Sequence, residues 1–242
     1  MTIAVIGQGA MGRALGVALR RAGVEVLEVR AREAWPDVSG ANLLVLAVRD
    51  DVLVDLASRL APLVARGAVV LHCSGALPAR EALAPLADRA AVGTLHPLVS
   101  VADGAEFRGV PFAVEGEGAR DLALLLGGVP FEVAPEAMPL YHAAAVIAAN
   151  YVVTLLDVAV RLATEAGLPE PAAREALGRL AAGAVANVRR LGTAEALTGP
   201  IARGDKGVVA RHLASLPADL RPLYEALAAE TRRLSARRPT SS

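Results

Sequence analysis

The chain opens MTIAVIGQGAMGRALGVALRRAGVEVLEVRARE over residues 1–33, and this stretch decides the fold. An apolar run, Ile3–Ile6, leads into Gly7-Gln-Gly9-Ala-Met-Gly12. A helical pattern from about Met11 to Ala22 follows and stops at Gly23. A second apolar run, Glu25–Val29, ends in Arg30-Ala-Arg32. Strand, glycine turn, helix and strand make the start of a βαβ unit. In that context the glycine spacing fits a dinucleotide. Gly7 makes the tight turn, Gly9 lets a pyrophosphate approach the backbone, and Gly12 lets helix and sheet pack closely. The helix N-terminus then faces the phosphates, with Gln8, Ala10 and Met11 beside them. A chance glycine turn is the alternative.

The end of the second strand selects the cofactor. An NAD site wants a carboxylate there for the ribose hydroxyls, and that carboxylate would repel a 2′-phosphate. This strand instead ends in Arg30 and Arg32, with Arg30 eighteen residues after Gly12. Two guanidinium groups can clamp a phosphate with forked, charge-assisted hydrogen bonds, so NADP(H) is the expected cofactor. The bland alternative is a pair of solvated arginines in an arginine-rich chain. Glu28 is close in sequence, but strand alternation sends it elsewhere.

The same alternation of short apolar runs and helical patterns continues. Strands are expected at Leu43–Val48, Ala68–His72, Ala91–Leu95, Phe112–Val114 and Phe131–Val133, and helices at Val52–Ala65 and Pro78–Ala87. Strands separated by helices imply a doubly wound parallel α/β sheet with right-handed crossovers. Beyond Pro135 only helical signals remain: one long helix over Pro139–Ala166, another over Pro171–Leu191, and two shorter ones near Val208–Ser215 and Leu220–Leu234. The expected organisation is a Rossmann domain over residues 1–135 and an all-helical substrate and dimerisation domain over residues 136–242.

Composition narrows the classes. The chain has 242 residues, 54% of them hydrophobic and 3% aromatic, so its core is aliphatic. Net charge is zero, which argues against a nucleic-acid binder driven by bulk charge. No eighteen consecutive residues are apolar, and no membrane span is expected. The start of the chain lacks a basic region and a cleavage site, and cytoplasmic localisation is the default. The single cysteine, Cys73, rules out an intrachain disulfide or a multi-cysteine metal site, and no metal is expected. Lys206 is the only lysine among 25 basic residues, so a mechanism needing a lysine has one candidate. The helical stretches His142–Asn150, Tyr151–Leu162 and Ala181–Val188 offer few polar faces. A homodimer that buries them is expected.

Ligands of open α/β sheets bind off the carboxyl ends of the strands. Val48-Arg49-Asp50-Asp51 ends one strand. There Val48 and Arg49 would pass near a cofactor ribose, and the two acids would cap the next helix. His72-Cys73-Ser74-Gly75 and His96-Pro97-Leu98 end two others. Ser74 either orients substrate or nicotinamide or is an ordinary turn serine. His72, inside the apolar strand, reads as structural, and Cys73 as a small buried residue with no positioned base. His142 and Asn150 flank an apolar helical stretch, which is expected to be deeply buried with Asn150 needing partners. The loop Thr198-Gly-Pro-Ile-Ala-Arg203-Gly-Asp205 could close over a substrate. Thr198, Gly199 and Arg203 would then contact it, with Arg203 on a carboxylate. Equally, the loop is a rigid connection whose Asp205 caps the next helix. His212 is expected on a solvated helix face.

Together, Leu71-His-Cys-Ser-Gly-Ala-Leu77, Leu95-His-Pro-Leu98, His142 to Asn150, and Leu197 to Asp205 span most of the chain. They resemble the family of Rossmann-like proteins carrying a DUF2520 helical domain, within the 6-phosphogluconate-dehydrogenase-like superfamily. The resemblance implies an NADP oxidoreductase, and for some members ketopantoate reduction. Larger superfamily members carry a lysine four residues before an asparagine. If Asn150 matches that asparagine, the lysine position is Val146, which cannot donate a proton. His96 then becomes the first choice of proton donor, at a near-neutral pKa, and His142 the second. The His-Pro pair also resembles the catalytic pair of prephenate dehydrogenases; the alternative is a histidine that only holds a loop.

The leading expectation is an NADPH-dependent reductase of a small oxo acid, 2-dehydropantoate being the best single substrate, with hydride transfer between the domains. Imine reduction of the pyrroline-5-carboxylate reductase kind, a deazaflavin-linked NADP reductase and a non-enzymatic NADP-binding redox sensor are the other readings.

Overall fold

The computed structural model describes residues 2–29, 38, 40–101 and 106–237. Arg30 and Arg32 lie outside them, so the expected phosphate clamp does too. The chain divides into two compact units, Met1–Val152 and Val153–Ser242.

The first unit runs β1 (Thr2–Ile6), α1 (Ala10–Arg21), β2 (Glu25–Val29), β3 (Leu43–Leu46), α2 (Leu53–Leu60), β4 (Val69–His72), α3 (Ala79–Ala82), β5 (Ala91–Pro97), β6 (Pro111–Glu115), α4 (Ala119–Leu125), β7 (Val129–Glu132) and α5 (Met138–Ala148). The strands form one sheet in the order β2-β1-β3-β4-β5-β6-β7. Strand period explains its two-sided burial. Ile3 and Val5 of β1 face the layer of Ala14, Leu15 and Leu19 from α1 and of Leu122 from α4. Ala4 and Ile6 face Leu53, Leu56 and Leu60 of α2 and Ala82 of α3.

The sheet is not wholly parallel: β5 and β6 pair antiparallel. Among the described residues no helix lies between them, and a parallel pair needs a crossover connection. Parallel pairing resumes at β6 and β7, across α4. That seven-residue helix has no counterpart in the sequence expectation. Gly118 precedes it with φ +74° and Gly127 follows it with φ +77°, so its surroundings read as loop.

The helix α6 (Asn150–Glu165) begins in the first unit and runs into the second. α5 and α6 replace the single helix expected from Pro139 to Ala166. Ala149, at φ −113° and ψ −69°, separates them. The second unit continues with α7 (Glu170–Leu191), α8 (Thr193–Ala196), α9 (Lys206–Ser215) and α10 (Arg221–Ser235), and α8 contacts both α7 and α10.

Candidate functional site

The strand order reverses direction between β1 and β3, the switch point where an open sheet leaves a crevice at its carboxyl edge. A cleft of about 880 Å³ opens there, lined from one side by Gly7, Gln8, Gly9, Ala10 and Met11 and from the other by Val48 and Arg49. The three glycines are there for different reasons. A Cβ on Gly7, at φ +115°, would lie 2.3 Å from the Ala47 carbonyl oxygen. One on Gly12 would lie 1.8 Å from the Gly7 oxygen. Gly9 has nothing within 4 Å, which leaves its backbone open to a ligand. The first turn of α1 carries no side-chain cap and no acidic residue. The buried Gln8 Nε2 finds no hydrogen-bond partner among the described residues. An orphaned donor beside uncapped helical N–H groups fits the phosphates of a dinucleotide.

Glu28 is held by Arg20 at 2.6 Å. Arg49 makes a forked pair with Asp51, Nε to Oδ1 at 3.0 Å and Nη2 to Oδ2 at 2.7 Å. Asp51 therefore does not cap α2, and neither does Asp50. The α2 N-cap is Val52 and carries no side-chain bond.

A second cluster sits further along the carboxyl edge, at the ends of β4 and β5. His96 Nδ1 lies 2.7 Å from the Tyr141 hydroxyl, with the rings edge-on at 5.6 Å. The His142 ring packs edge-on against His96 at 5.9 Å. Both imidazoles crowd Gly75: a Cβ there would come within 2.8 Å of His96 Nε2 and 2.9 Å of His142 Cδ2. Burial, followed by the neighbouring His142 charge, pulls His96 down to about 4, against a smaller opposing effect of Asp50. This corrects the near-neutral pKa expected from sequence. His96 is a neutral ring at pH 7, able to donate an N–H but not to serve as an imidazolium.

Behind this cluster, His72 is fully buried. Its Nδ1 accepts the Ser74 N–H at 3.1 Å, which leaves the proton on Nε2. Nε2 donates to Thr94 Oγ1 at 3.2 Å, and Thr94 donates to Glu115 Oε2 at 3.0 Å. Burial, then His96, lowers His72 to about 4. Burial also pushes the Cys73 thiol up to about 12, which keeps it protonated and unreactive. Ser74 Oγ accepts from the Ala76 and Leu77 N–H groups at 3.1 and 3.3 Å, which makes it a turn serine.

The expected deep burial of the apolar helix is not found. Asn150 is exposed, and so is much of the stretch from His142 to Tyr151. Asn150 opens α6 beyond the Ala149 break, so a continuous helix does not relate it to His142. Tyr141 was missing from the sequence-derived site. Its signal was its place at the start of an apolar helix in a chain with only three tyrosines. In the second unit, Gly199 accepts the Arg203 N–H at 3.2 Å and Asp205 Oδ1 accepts the Val208 N–H at 3.0 Å. The loop bearing Thr198, Gly199 and Arg203 is thus a closed turn ending in a helix cap. His212, exposed on α9, meets the Tyr224 hydroxyl at 2.7 Å.

A family profile described as "Domain of unknown function (DUF2520)" matches residues 110–231, half of the chain. This chain belongs to the DUF2520 family. A second profile, "Rossmann-like domain", matches residues 33–97 of this DUF2520 protein. No curated protein matches its sequence. Among solved structures it resembles BF3122 from Bacteroides fragilis, provisionally named an NADP oxidoreductase, at 21% identity and TM-score 0.77, covering 96% of this chain and 98% of that one. Protein TM1727 from Thermotoga maritima is 23% identical with TM-score 0.74, over 97% and 98% of the two chains. Pyrroline carboxylate reductase from Plasmodium falciparum, solved with NADP bound, is 12% identical with TM-score 0.66, also over 97% and 98%. At these identities the likeness shows a shared fold across the DUF2520 chain.

Proposed function

We propose that this DUF2520 protein is an NADP(H)-dependent oxidoreductase that reduces a small oxo acid, with 2-dehydropantoate as the best single substrate. The observation that carries the reading is the glycine cradle: an open Gly9, an orphaned Gln8 amide and an uncapped helix N-terminus at the sheet's switch point. The solved relative with NADP bound shares the fold and lends support.

When bound, the reduced nicotinamide supplies a hydride. The protein's own contributions are to hold, orient and protonate. The N–H groups of the first α1 turn and Gln8 Nε2 hold the phosphates, and Arg30 and Arg32 read the 2′-phosphate. His96 gives a proton from Nε2 to the substrate oxygen. If Asn150 matches the asparagine of larger superfamily members, Val146 takes the place of their lysine, and a histidine donor answers that departure. His142, whose ring nitrogens make no hydrogen bond among the described residues, packs against the His96 ring.

The reading includes a homodimer formed through the helical part. Leu140, Leu180 and Val153 are 78%, 70% and 68% exposed, and the most apolar window of Pro135–Glu165 has mean hydropathy 1.9 with none of it buried. That segment is long and apolar enough to cross a membrane by length and composition alone. A second copy is the occupant that leaves Tyr141 on His96.

The test is nucleotide oxidation by the purified protein with 2-dehydropantoate, NADPH and NADH side by side. Saturable turnover with a strong NADPH preference supports the reading. Turnover only with 1-pyrroline-5-carboxylate moves it to imine reduction. Tight NADPH binding without turnover on either substrate leaves a sensor.

A further inference from the structure

We propose that Tyr141 supplies the proton that His96 delivers to the substrate oxygen, so that the two side chains act as a relay. This rests on the reductase reading above.

The geometry is that of a fixed donor pair. Tyr141 stands in the first turn of α5, its ring flanked by Phe131 at 5.9 Å on one side and His96 at 5.6 Å on the other. Its hydroxyl is 2.7 Å from His96 Nδ1. When the phenol donates to Nδ1, the imidazole carries its own proton on Nε2. Nε2 has no hydrogen-bond partner among the described residues, and the ring packs against Gly75, which only a residue without a side chain allows.

The step balances. As hydride from a reduced nicotinamide reaches the carbonyl carbon, the carbonyl π pair moves to oxygen. The Nε2–H bond of His96 breaks and the product O–H bond forms. The Tyr141 O–H bond breaks and an Nδ1–H bond forms. The imidazole ends neutral in its other tautomer, and the phenolate of the half-buried Tyr141 takes a proton from water. The relay answers a specific difficulty. His96 is neutral at pH 7, because burial and His142 hold it near 4. A neutral ring that gave up Nε2–H alone would be left an imidazolate. Burial raises the Tyr141 phenol to about 12, yet the alkoxide formed is more basic still, so both transfers run downhill. Tyr141 acts through His96 and is a positioning residue in that sense.

Two readouts on full-length protein test this. Imidazole ¹⁵N spectra of the nucleotide-free protein report the tautomer, and NADPH oxidation with 2-dehydropantoate and 1-pyrroline-5-carboxylate reports turnover. The wild type is expected to carry the His96 proton on Nε2. Tyr141→Phe keeps the ring packing; it should keep NADPH affinity, lose the single tautomer and lower kcat about 100-fold. An active wild type with His96 protonated on Nδ1, or Tyr141→Phe with wild-type kcat, overturns the relay alone. A wild type that oxidises no NADPH with either substrate overturns the reductase reading, and the relay with it.

Discussion

At the residue scale the glycines and histidines carry the account. Gly12→Ala places a methyl group 1.8 Å from a backbone oxygen, whereas Gly9→Ala meets nothing in the protein. The first should cost about 3 kcal/mol of stability by urea unfolding. The second should leave unfolding unchanged but weaken NADPH binding roughly tenfold, about 1.4 kcal/mol. Equal effects on both readouts would mean that Gly9 faces no ligand. His72 gives a pH prediction. Its folded value, about 4, lies below its ordinary 6.5. The unfolded chain therefore takes up the proton first as pH falls, so stability is full above 6.5 and declines toward 4. His72 alone should make the protein about 2 kcal/mol less stable at pH 5 than at pH 8. Urea unfolding of His72→Gln should show a shallower slope, and an unchanged slope would count against it. Much of this was legible in sequence, because glycine spacing and strand ends have local causes. Tyr141 and the low pKa of His96 were not, since both depend on the fold bringing His96, Tyr141 and His142 together beside Gly75.

At the element scale, boundaries follow local chemistry where a cap or breaker acts. Asp205 caps α9 through Val208, as one of the two sequence readings had it. Asp205→Ala should lower stability by about 1 kcal/mol in thermal unfolding; no change in melting temperature would show that the loop holds without it. Two elements were illegible for opposite reasons. α4 hides between glycines, and its seven residues are too few for periodicity to register. The α5–α6 break occurs inside an apolar run with no proline or glycine, so nothing in Ala148-Ala149-Asn150 marks it. The Asp51 cap failed because Arg49 competes for its carboxylate more strongly than a backbone N–H does.

At the scale of the whole molecule, sequence pattern predicted an α/β unit followed by helices, and the sheet's single antiparallel pair is the departure. Among the described residues no helix joins β5 to β6, and strand patterns alone do not reveal the antiparallel pairing. The helices expected to be buried are exposed in the single chain, and the proposed homodimer would cover their apolar faces. Light scattering should give twice the chain mass of 24.8 kDa, and Leu180→Arg with Val153→Arg should shift it to the monomer. A wild-type monomer would remove the homodimer. The most direct test of the central claim is NADPH oxidation with 2-dehydropantoate by the wild type and by His96→Ala, with NADPH affinity measured on both. The account predicts saturable wild-type turnover, a kcat about 100-fold lower in His96→Ala, and equal NADPH affinity. Wild-type kcat in His96→Ala would contradict it.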